Sequence, residues 1–175
     1  PLCRLFPRDR RGLFETMRAY QGRVFRLEPH LVRLIRGAEV AGISLDGRMR
    51  ELDEAVAAAI GANGLSDARV RLTVTAGEGP GRPVVSMPTE PTVLAVASPL
   101  EPVARETYAR GYRVVVASHP YHGASKVGSI KSISFLENLL ANASNHGRHV
   151  DVLVAHLREN FRFAAQRRRT SPRRR

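Results

Sequence analysis

Near the start of the chain, apolar and polar residues alternate in two short runs. Residues 13–20, LFETMRAY, and residues 23–27, RVFRL, flank the pair Gln21-Gly22. Alternation places successive side chains on opposite faces of a strand, and a glycine-containing pair between two such runs is typical of a tight turn. The pattern therefore predicts a β-hairpin over residues 13–27.

Helical spacing follows directly after the hairpin. Pro29 is expected at the first position of a helix whose buried face repeats every three to four residues, with a stop near Gly42. That face consists of Leu31, Leu34, Ile35 and Ala38. A second helix is predicted over residues 47–60, with Asp46 as its N-terminal cap.

Two alternating runs, at residues 69–75 and 92–98, predict a pair of antiparallel strands. Residues 101–110 predict a short helix or turn, and residues 111–118 predict a strand with a buried centre. Residues 119–130 have no periodicity and are interpreted as a linker between domains. A further apolar run at residues 150–155 suits a strand.

One lysine lies just before the clearest helix start in the chain. Ser134 and Glu137 form a capping box, so a helix should begin near Phe135. Lys131 is therefore expected to be held between a loop and a buried helix. An exposed lysine more often moves freely at a surface, whereas a held and partly desolvated lysine can act as an amine nucleophile. Lys126, in a glycine-containing loop, is interpreted as solvated.

Composition restricts the class of protein. The 175 residues are 43% hydrophobic and include no apolar run approaching a membrane span, and nothing resembles a secretory leader. We therefore expect a cytoplasmic protein with no membrane partner. The single cysteine, Cys3, excludes an internal disulfide. Two histidine pairs, His119 with His122 and His146 with His149, lack a third ligand, so no metal site is predicted.

The net charge of +12 is unevenly distributed. Residues 158–175 contain eight arginines and one acidic residue, Glu159, which gives +7 and leaves +5 for the rest of the chain. An arginine-rich tail of this kind can bind RNA or DNA through phosphate contacts, which is one alternative function. Aromatic residues that could stack on bases are not interleaved with the tail arginines, so nucleic acid is not the favoured partner.

Two segments together resemble a known enzyme family. GLFETMRAYQGRVFRLEPHLVRLIRGAEVAGI, residues 12–43, and IKSISFLENLLA, from Ile130, are similar to the class IV pyridoxal-phosphate-dependent aminotransferases. That group includes branched-chain and D-amino-acid aminotransferases and aminodeoxychorismate lyase. The resemblance extends from about residue 12 to about residue 155. It implies transfer of an amino group between an amino acid and a 2-oxo acid, pyridoxal 5′-phosphate as cofactor, and a possible homodimer.

The resemblance also implies roles for individual residues. Lys131 matches the lysine that holds the cofactor and moves the substrate proton, and Arg33 in HLVRL matches the arginine that contacts the cofactor phosphate. Phe14, Arg18 and Arg71 match positions that line the substrate pocket in branched-chain-type members. His30 is interpreted as a packing residue, and Arg18 and Arg71 could equally be exposed strand residues.

The predicted fold class is α+β, with an N-terminal class IV aminotransferase-like domain and the start of an incomplete second domain. The expected boundaries are an irregular N-terminus at 1–11, the first domain at 12–118, the linker at 119–130, the start of the cofactor-binding domain at 131–157, and a disordered tail at 158–175. The resemblance implies an acidic residue beside the cofactor ring. Glu159 is the only carboxylate nearby, but it comes early in the sequence and lacks the family's E-x-x-x-x-N pattern. We therefore expect an incomplete aminotransferase-like protein that is weakly active or inactive as given. The alternatives are a truncated or frameshifted product without activity and an aminodeoxychorismate lyase-like enzyme.

Overall fold

The computed structural model describes residues 11–77, 90–111 and 130–134, together with the backbone of two short strands at 114–116 and 152–154. The chain divides into two compact units, one formed by Pro1–Pro102 with Ala124–Ser134 and the other by Val103–Gly123 with Phe135–Arg175. The predicted domain boundaries stay a prediction, although the short segment that carries Lys131 belongs to the first unit. Lys126, the helix expected from Phe135, the histidine pairs and the tail lie outside the described residues.

The first unit contains a four-stranded antiparallel sheet in the order β2-β1-β3-β4. Its strands are β1 (Gly12–Tyr20), β2 (Arg23–Val24), β3 (Ala68–Thr75) and β4 (Thr92–Pro99). The predicted hairpin is confirmed, since β1 pairs with β2 and the turn residues Gln21 and Gly22 have φ of 51° and 74°. Its second strand is shorter than predicted, because a helix begins at Leu27. The predicted pairing of β3 with β4 is also confirmed.

Two helices pack on one face of this sheet, α1 (Leu27–Val40) against β1 and α2 (Met49–Ala62) against β3 and β4. Helix α1 begins two residues before Pro29, which still lies in the first turn, where its missing N–H removes no intrahelical bond. The predicted cap of α2 is wrong. Residues 45–48 form a turn, in which Arg48 N–H donates to the Leu45 carbonyl, so Arg48 rather than Asp46 precedes the helix, and it makes no side-chain cap bond.

The core lies between the sheet and the two helices, and strand alternation decides which side chains enter it. Odd-numbered residues of β1 and even-numbered residues of β3 face the helices, and they meet the buried stripes of α1 and α2. The largest fully buried apolar side chains are Leu13, Met17, Leu31, Leu34, Ile43, Leu52, Val56, Val70, Leu72 and Val74. The opposite face of the sheet carries Phe14, Arg18, Arg69, Arg71, Leu94 and Val96.

The second unit contains the short helix α3 (Arg105–Arg110) and two strands, β5 (Val114–Val116) and β6 (Val152–Val154). The strands pair in parallel. All three elements were predicted, the strands at greater length. The combination of helices with an antiparallel sheet confirms the predicted α+β class. Among the described residues, no helix is long and apolar enough to cross a membrane.

Candidate functional site

The segment that carries Lys131 extends the sheet along the free edge of β1. Phe14 N–H donates to the Lys131 carbonyl at 3.0 Å, and Ile133 N–H donates to the Gly12 carbonyl at 3.0 Å. Leu13 and Ser132 form an antiparallel bridge between these two bonds. Lys131 is thus held by main-chain hydrogen bonds beside the first half of β1, while β2 pairs with the second half.

The aromatic ring of Phe14 brings two predicted site residues together. The Lys131 Nζ lies 4.6 Å from the ring centroid, and the Arg71 Cζ lies 3.8 Å from it. Both distances are within the range of cation–π attraction. Register explains the arrangement, because Phe14 pairs with Thr73, the neighbour of Arg71 on the same face of β3. Phe14 is only 4% exposed.

This environment changes the basicity of both cations. Burial against the sheet lowers the pKa of Lys131, the charge of Glu15 raises it, and the charges of Arg33 and Arg71 lower it again, with a net decrease from 10.5. Burial and the charge of Arg69 lower the pKa of Arg71. Lys131 as a whole is exposed, but its amine lies against Phe14 and is partly desolvated, so it is more often uncharged than that of an ordinary lysine.

On the helix side of β1, a buried carboxylate joins the strand to α1. Glu15 is 0% exposed, and its two oxygens accept hydrogen bonds from Nε and Nη2 of Arg33 at 2.6 Å each. His30 Nδ1 lies 2.9 Å from Glu15 Oε2 and donates to it. Burial raises the pKa of Glu15, but the bonds from Arg33 and His30 and the charges of Arg33 and Lys131 outweigh it, so the pKa lies below 4.5.

The structure does not bring every predicted residue into the same cluster. Lys131, Phe14 and Arg71 are in contact, and Arg33 is near enough for its charge to affect Lys131. Arg18 lies further along β1, opposite Arg69, and lines a surface cavity with Arg69 and Ser98. His30, interpreted from sequence as a packing residue, takes part in the carboxylate cluster.

Sequence reasoning missed Glu15, although the sequence contained a signal for it. The residue occupies an odd-numbered position of β1, in line with Leu13, Met17 and Ala19, all of which are buried. A charged residue in a core-facing register is rarely accommodated without a partner of opposite charge. The alternation that predicted the strand therefore also marked Glu15 as a residue that needs a cationic partner.

Comparison with known proteins identifies the family to which the chain belongs. The family model described as amino-transferase class IV matches residues 12–160, which is most of the chain. The protein therefore belongs to the class IV aminotransferase family, as the sequence resemblance predicted. The matched range contains all the predicted site residues.

The relatives of this chain have names that describe different activities. A Methanocaldococcus jannaschii protein with the name of a branched-chain-amino-acid aminotransferase is 31% identical over 140 residues, which cover 80% of this chain and 48% of the relative. Aminodeoxychorismate lyase of Bacillus subtilis is 30% identical over 132 residues, 74% of this chain and 44% of the lyase. The solved branched-chain aminotransferase of Thermoproteus uzoniensis with norvaline has a TM-score of 0.70 and 26% identity, covering 85% of this chain and 51% of that one. The chain thus spans about half the length of the relatives it matches.

Proposed function

We propose that this protein transfers an amino group between an amino acid and a 2-oxo acid, with pyridoxal 5′-phosphate as cofactor and Lys131 as the residue that holds it. Family membership supports the class of reaction, because class IV aminotransferases depend on this cofactor. The observation that carries the residue assignment is the shielded Lys131 amine against Phe14, with the exposed guanidinium of Arg33 in the same compact unit.

The side chains present fit two parts of the cofactor. Its aldehyde needs an amine that is uncharged for part of the time, and the lowered pKa of Lys131 supplies one. Its phosphate needs a fixed, permanently charged donor, and the planar fork of Arg33 has that character. The sequence offers no well-matched acidic partner for the ring nitrogen, and Glu159 lies outside the described residues.

When bound, the cofactor supplies a ring that takes up electrons from the substrate's α-carbon. In our proposal Lys131 holds this group and then moves the proton at that carbon as general base and acid. Arg33 binds the phosphate and so fixes the distance between it and the amine. Phe14 provides an apolar wall on one side of the amine and excludes water from that side.

Arg71 and Arg18 are proposed to bind substrate carboxylates, with Phe14 contacting the side chain of the substrate. The position of Arg71 supports this role more directly, since its guanidinium covers the same ring as the Lys131 amine. Arg18 lies on the same face of the sheet, at the cavity that it lines with Arg69. Guanidinium groups recognise carboxylates in a bidentate manner, which suits both proposals.

A second candidate function is cleavage of aminodeoxychorismate. The similarity to the Bacillus subtilis lyase favours it, as does a solved lyase from Pseudomonas aeruginosa with 26% identity and a TM-score of 0.66. Loss of aminodeoxychorismate without any amino acceptor would support the lyase. Dependence of product formation on a 2-oxo acid would support the transaminase.

The assembly and the location are also part of the proposal. Members of this family are typically oligomeric, and we propose that this protein forms a homodimer. Sedimentation equilibrium measures this directly, and a monomer at all concentrations would contradict it. The cytoplasmic location expected from the sequence stays a prediction.

The assignment of Lys131 is tested by covalent labelling. The protein is incubated with pyridoxal phosphate, reduced with borohydride and mapped by mass spectrometry. Because the chain has only two lysines, Lys126→Arg and Lys131→Arg form a matched pair. We expect Lys126→Arg to label like the wild type and Lys131→Arg to lose the label. Label that remains after Lys131→Arg, at Lys126 or at the N-terminus, would overturn the assignment.

A further inference from the structure

Glu15 is a buried charged residue for which the proposed reaction has no direct use. It lies among apolar core residues on β1 and is completely shielded from solvent. A carboxylate in such a place is costly unless cations and hydrogen bonds compensate for the lost water. Arg33 and His30 provide both. The cluster therefore stabilises a charge at a core position where an apolar residue would need no such partners.

The geometry of Arg33 indicates what this arrangement achieves. Glu15 takes one edge of the guanidinium, formed by Nε and Nη2. Within the described ranges, Nη1 has no hydrogen-bond partner, and the Arg33 side chain is 57% exposed. One edge of the planar fork is thus fixed in the protein, and the other is available to an anion from outside. A free arginine, by contrast, loses considerable rotamer entropy when it binds.

We propose that Glu15 is a positioning residue, which holds the Arg33 guanidinium so that its free edge is oriented in advance for the cofactor phosphate. The inference rests on the proposed function, in which Arg33 binds that phosphate. Glu15 does not touch the cofactor in this proposal. It acts through Arg33, and its hydrogen bonds to Arg33 join β1 to α1 near the point where the anion binds.

Glu15 has two opposite effects on the affinity for a phosphate. Its negative charge repels a phosphate dianion, so its removal would strengthen binding if charge alone mattered. Its bonds restrict Arg33, so its removal would weaken binding if positioning matters more. The sign of the change in affinity separates the two, because loss of repulsion strengthens phosphate binding and loss of restriction weakens it.

The experiment compares two ligands that differ only in the phosphate. Affinities of the wild type, Glu15→Gln, Arg33→Ala and the double variant are measured for pyridoxal phosphate and for pyridoxal. Both aldehydes react with Lys131, so an effect of Glu15 on the lysine cancels in the ratio of the two affinities. We expect Glu15→Gln to lower this ratio roughly 5- to 30-fold, up to the rotamer entropy of one arginine, at both low and high salt. Arg33→Ala should lower it at least as far, and Glu15→Gln should then add nothing.

Controls distinguish this proposal from the proposed function. Glu39→Gln changes an exposed carboxylate on the same helix and should leave the ratio unchanged. A large wild-type ratio that Glu15→Gln leaves unchanged or increases would overturn the positioning role and leave the cofactor assignment intact. A wild-type ratio near one, or no attachment at Lys131, would overturn both.

A measurement on the wild type remains decisive if Glu15→Gln fails to fold. In a ¹⁵N-labelled protein, the Nε–H proton of Arg33 should exchange slowly with water because Glu15 holds it. Added inorganic phosphate should shift the Nη1 resonance of Arg33 and leave Nε nearly unchanged. Rapid exchange at Nε in the folded protein, or a phosphate response confined to Nε, would show that Glu15 does not orient the arginine.

Discussion

At the scale of single residues, Phe14 connects the charged groups of the candidate site. Its ring is covered by the Arg71 guanidinium and approached by the Lys131 amine, and its main-chain N–H binds the Lys131 carbonyl. An aromatic face attracts cations but also excludes water from them. The contact with Phe14 therefore helps to hold the lysine, while burial of the amine lowers its pKa.

This arrangement predicts how Arg71 affects Lys131. The charge of Arg71 lowers the pKa of Lys131, so Arg71→Gln should raise that pKa and leave less free amine at a given pH. Competitive acetylation of Lys131 as a function of pH, with the adduct quantified by mass spectrometry, should have a midpoint at higher pH in the variant. Arg23→Gln, which changes an exposed arginine on β2, is the matched control. An unchanged midpoint in Arg71→Gln would mean that the two charges do not interact.

At the scale of secondary structure elements, β1 is shared by three partners. It pairs with β3 from Gly12 to Ala19, with β2 at its end and with residues 131–133 at its beginning. Its core-facing side also binds α1 through Glu15 and Arg33. β1 thus positions Lys131, Arg33 and Phe14.

The Glu15 cluster predicts a specific loss of stability in acid. In the unfolded chain Glu15 has an ordinary pKa near 4.5, and in the folded chain its pKa is lower. Its stabilising contribution is therefore present above about pH 4.5 and is lost as the pH falls through the folded value. Urea unfolding of the wild type should weaken over this window, and Glu15→Gln should show a smaller pH dependence there. Glu39→Gln should behave like the wild type, and an equally steep pH dependence in Glu15→Gln would contradict the prediction.

Close packing at Gly12 predicts how the Lys131 segment can be loosened. A Cβ atom at Gly12 would lie 2.6 Å from Ile133 Cδ1 and 3.1 Å from the Val74 carbonyl oxygen. Gly12→Ala should therefore force the Ile133 side chain out of its contact with β1, and the loss of this contact should speed amide exchange at Ile133. Gly61→Ala is the contrasting control, because a Cβ there meets no atom within 4 Å and alanine in a helix should stabilise by roughly 0.5–1 kcal/mol. Unchanged exchange in Gly12→Ala would show that the segment is not tightly packed on β1.

At the scale of the whole molecule, most of the net positive charge and the candidate site lie in different parts of the sequence. More than half of the net charge of +12 lies in residues 158–175, whereas the candidate site lies in the first compact unit. A basic segment binds polyanions without sequence preference and with strong salt dependence. Such binding would follow from composition and would not depend on the site.

We therefore expect any binding of polyanions by the chain to depend on the arginines of residues 158–175 and to be independent of the candidate site. Replacement of the six arginines at positions 167–169 and 173–175 by glutamine should abolish binding to a single-stranded RNA at low salt. It should leave attachment of pyridoxal phosphate at Lys131 unchanged. Fluorescence anisotropy and the labelling assay measure the two properties on the same samples. RNA binding that survives the replacement and resists high salt would support the alternative function of a nucleic-acid-binding protein.

The sequence by itself determined most elements of the described fold. Periodicities of two and of three to four residues marked β1, β3, β4, α1 and α2, because burial of one face requires such repeats. Asp46 was misassigned as a cap, since a turn at residues 45–48 depends on backbone angles that side-chain patterns do not specify. Two motifs in the correct order also identified the family.

Only the tertiary structure decided how the site residues meet. Phe14, Arg71 and Lys131 are far apart in sequence, and strand register together with two main-chain bonds to residues 131–133 brings them to one ring. Glu15 was visible in the sequence as a charge in a core-facing register, but its partner was not, because a helix can present Arg33 to the sheet or to solvent with the same periodicity. Side-chain pairing across elements depends on the rotation and packing of one element on another, and these are fixed only when the whole core forms.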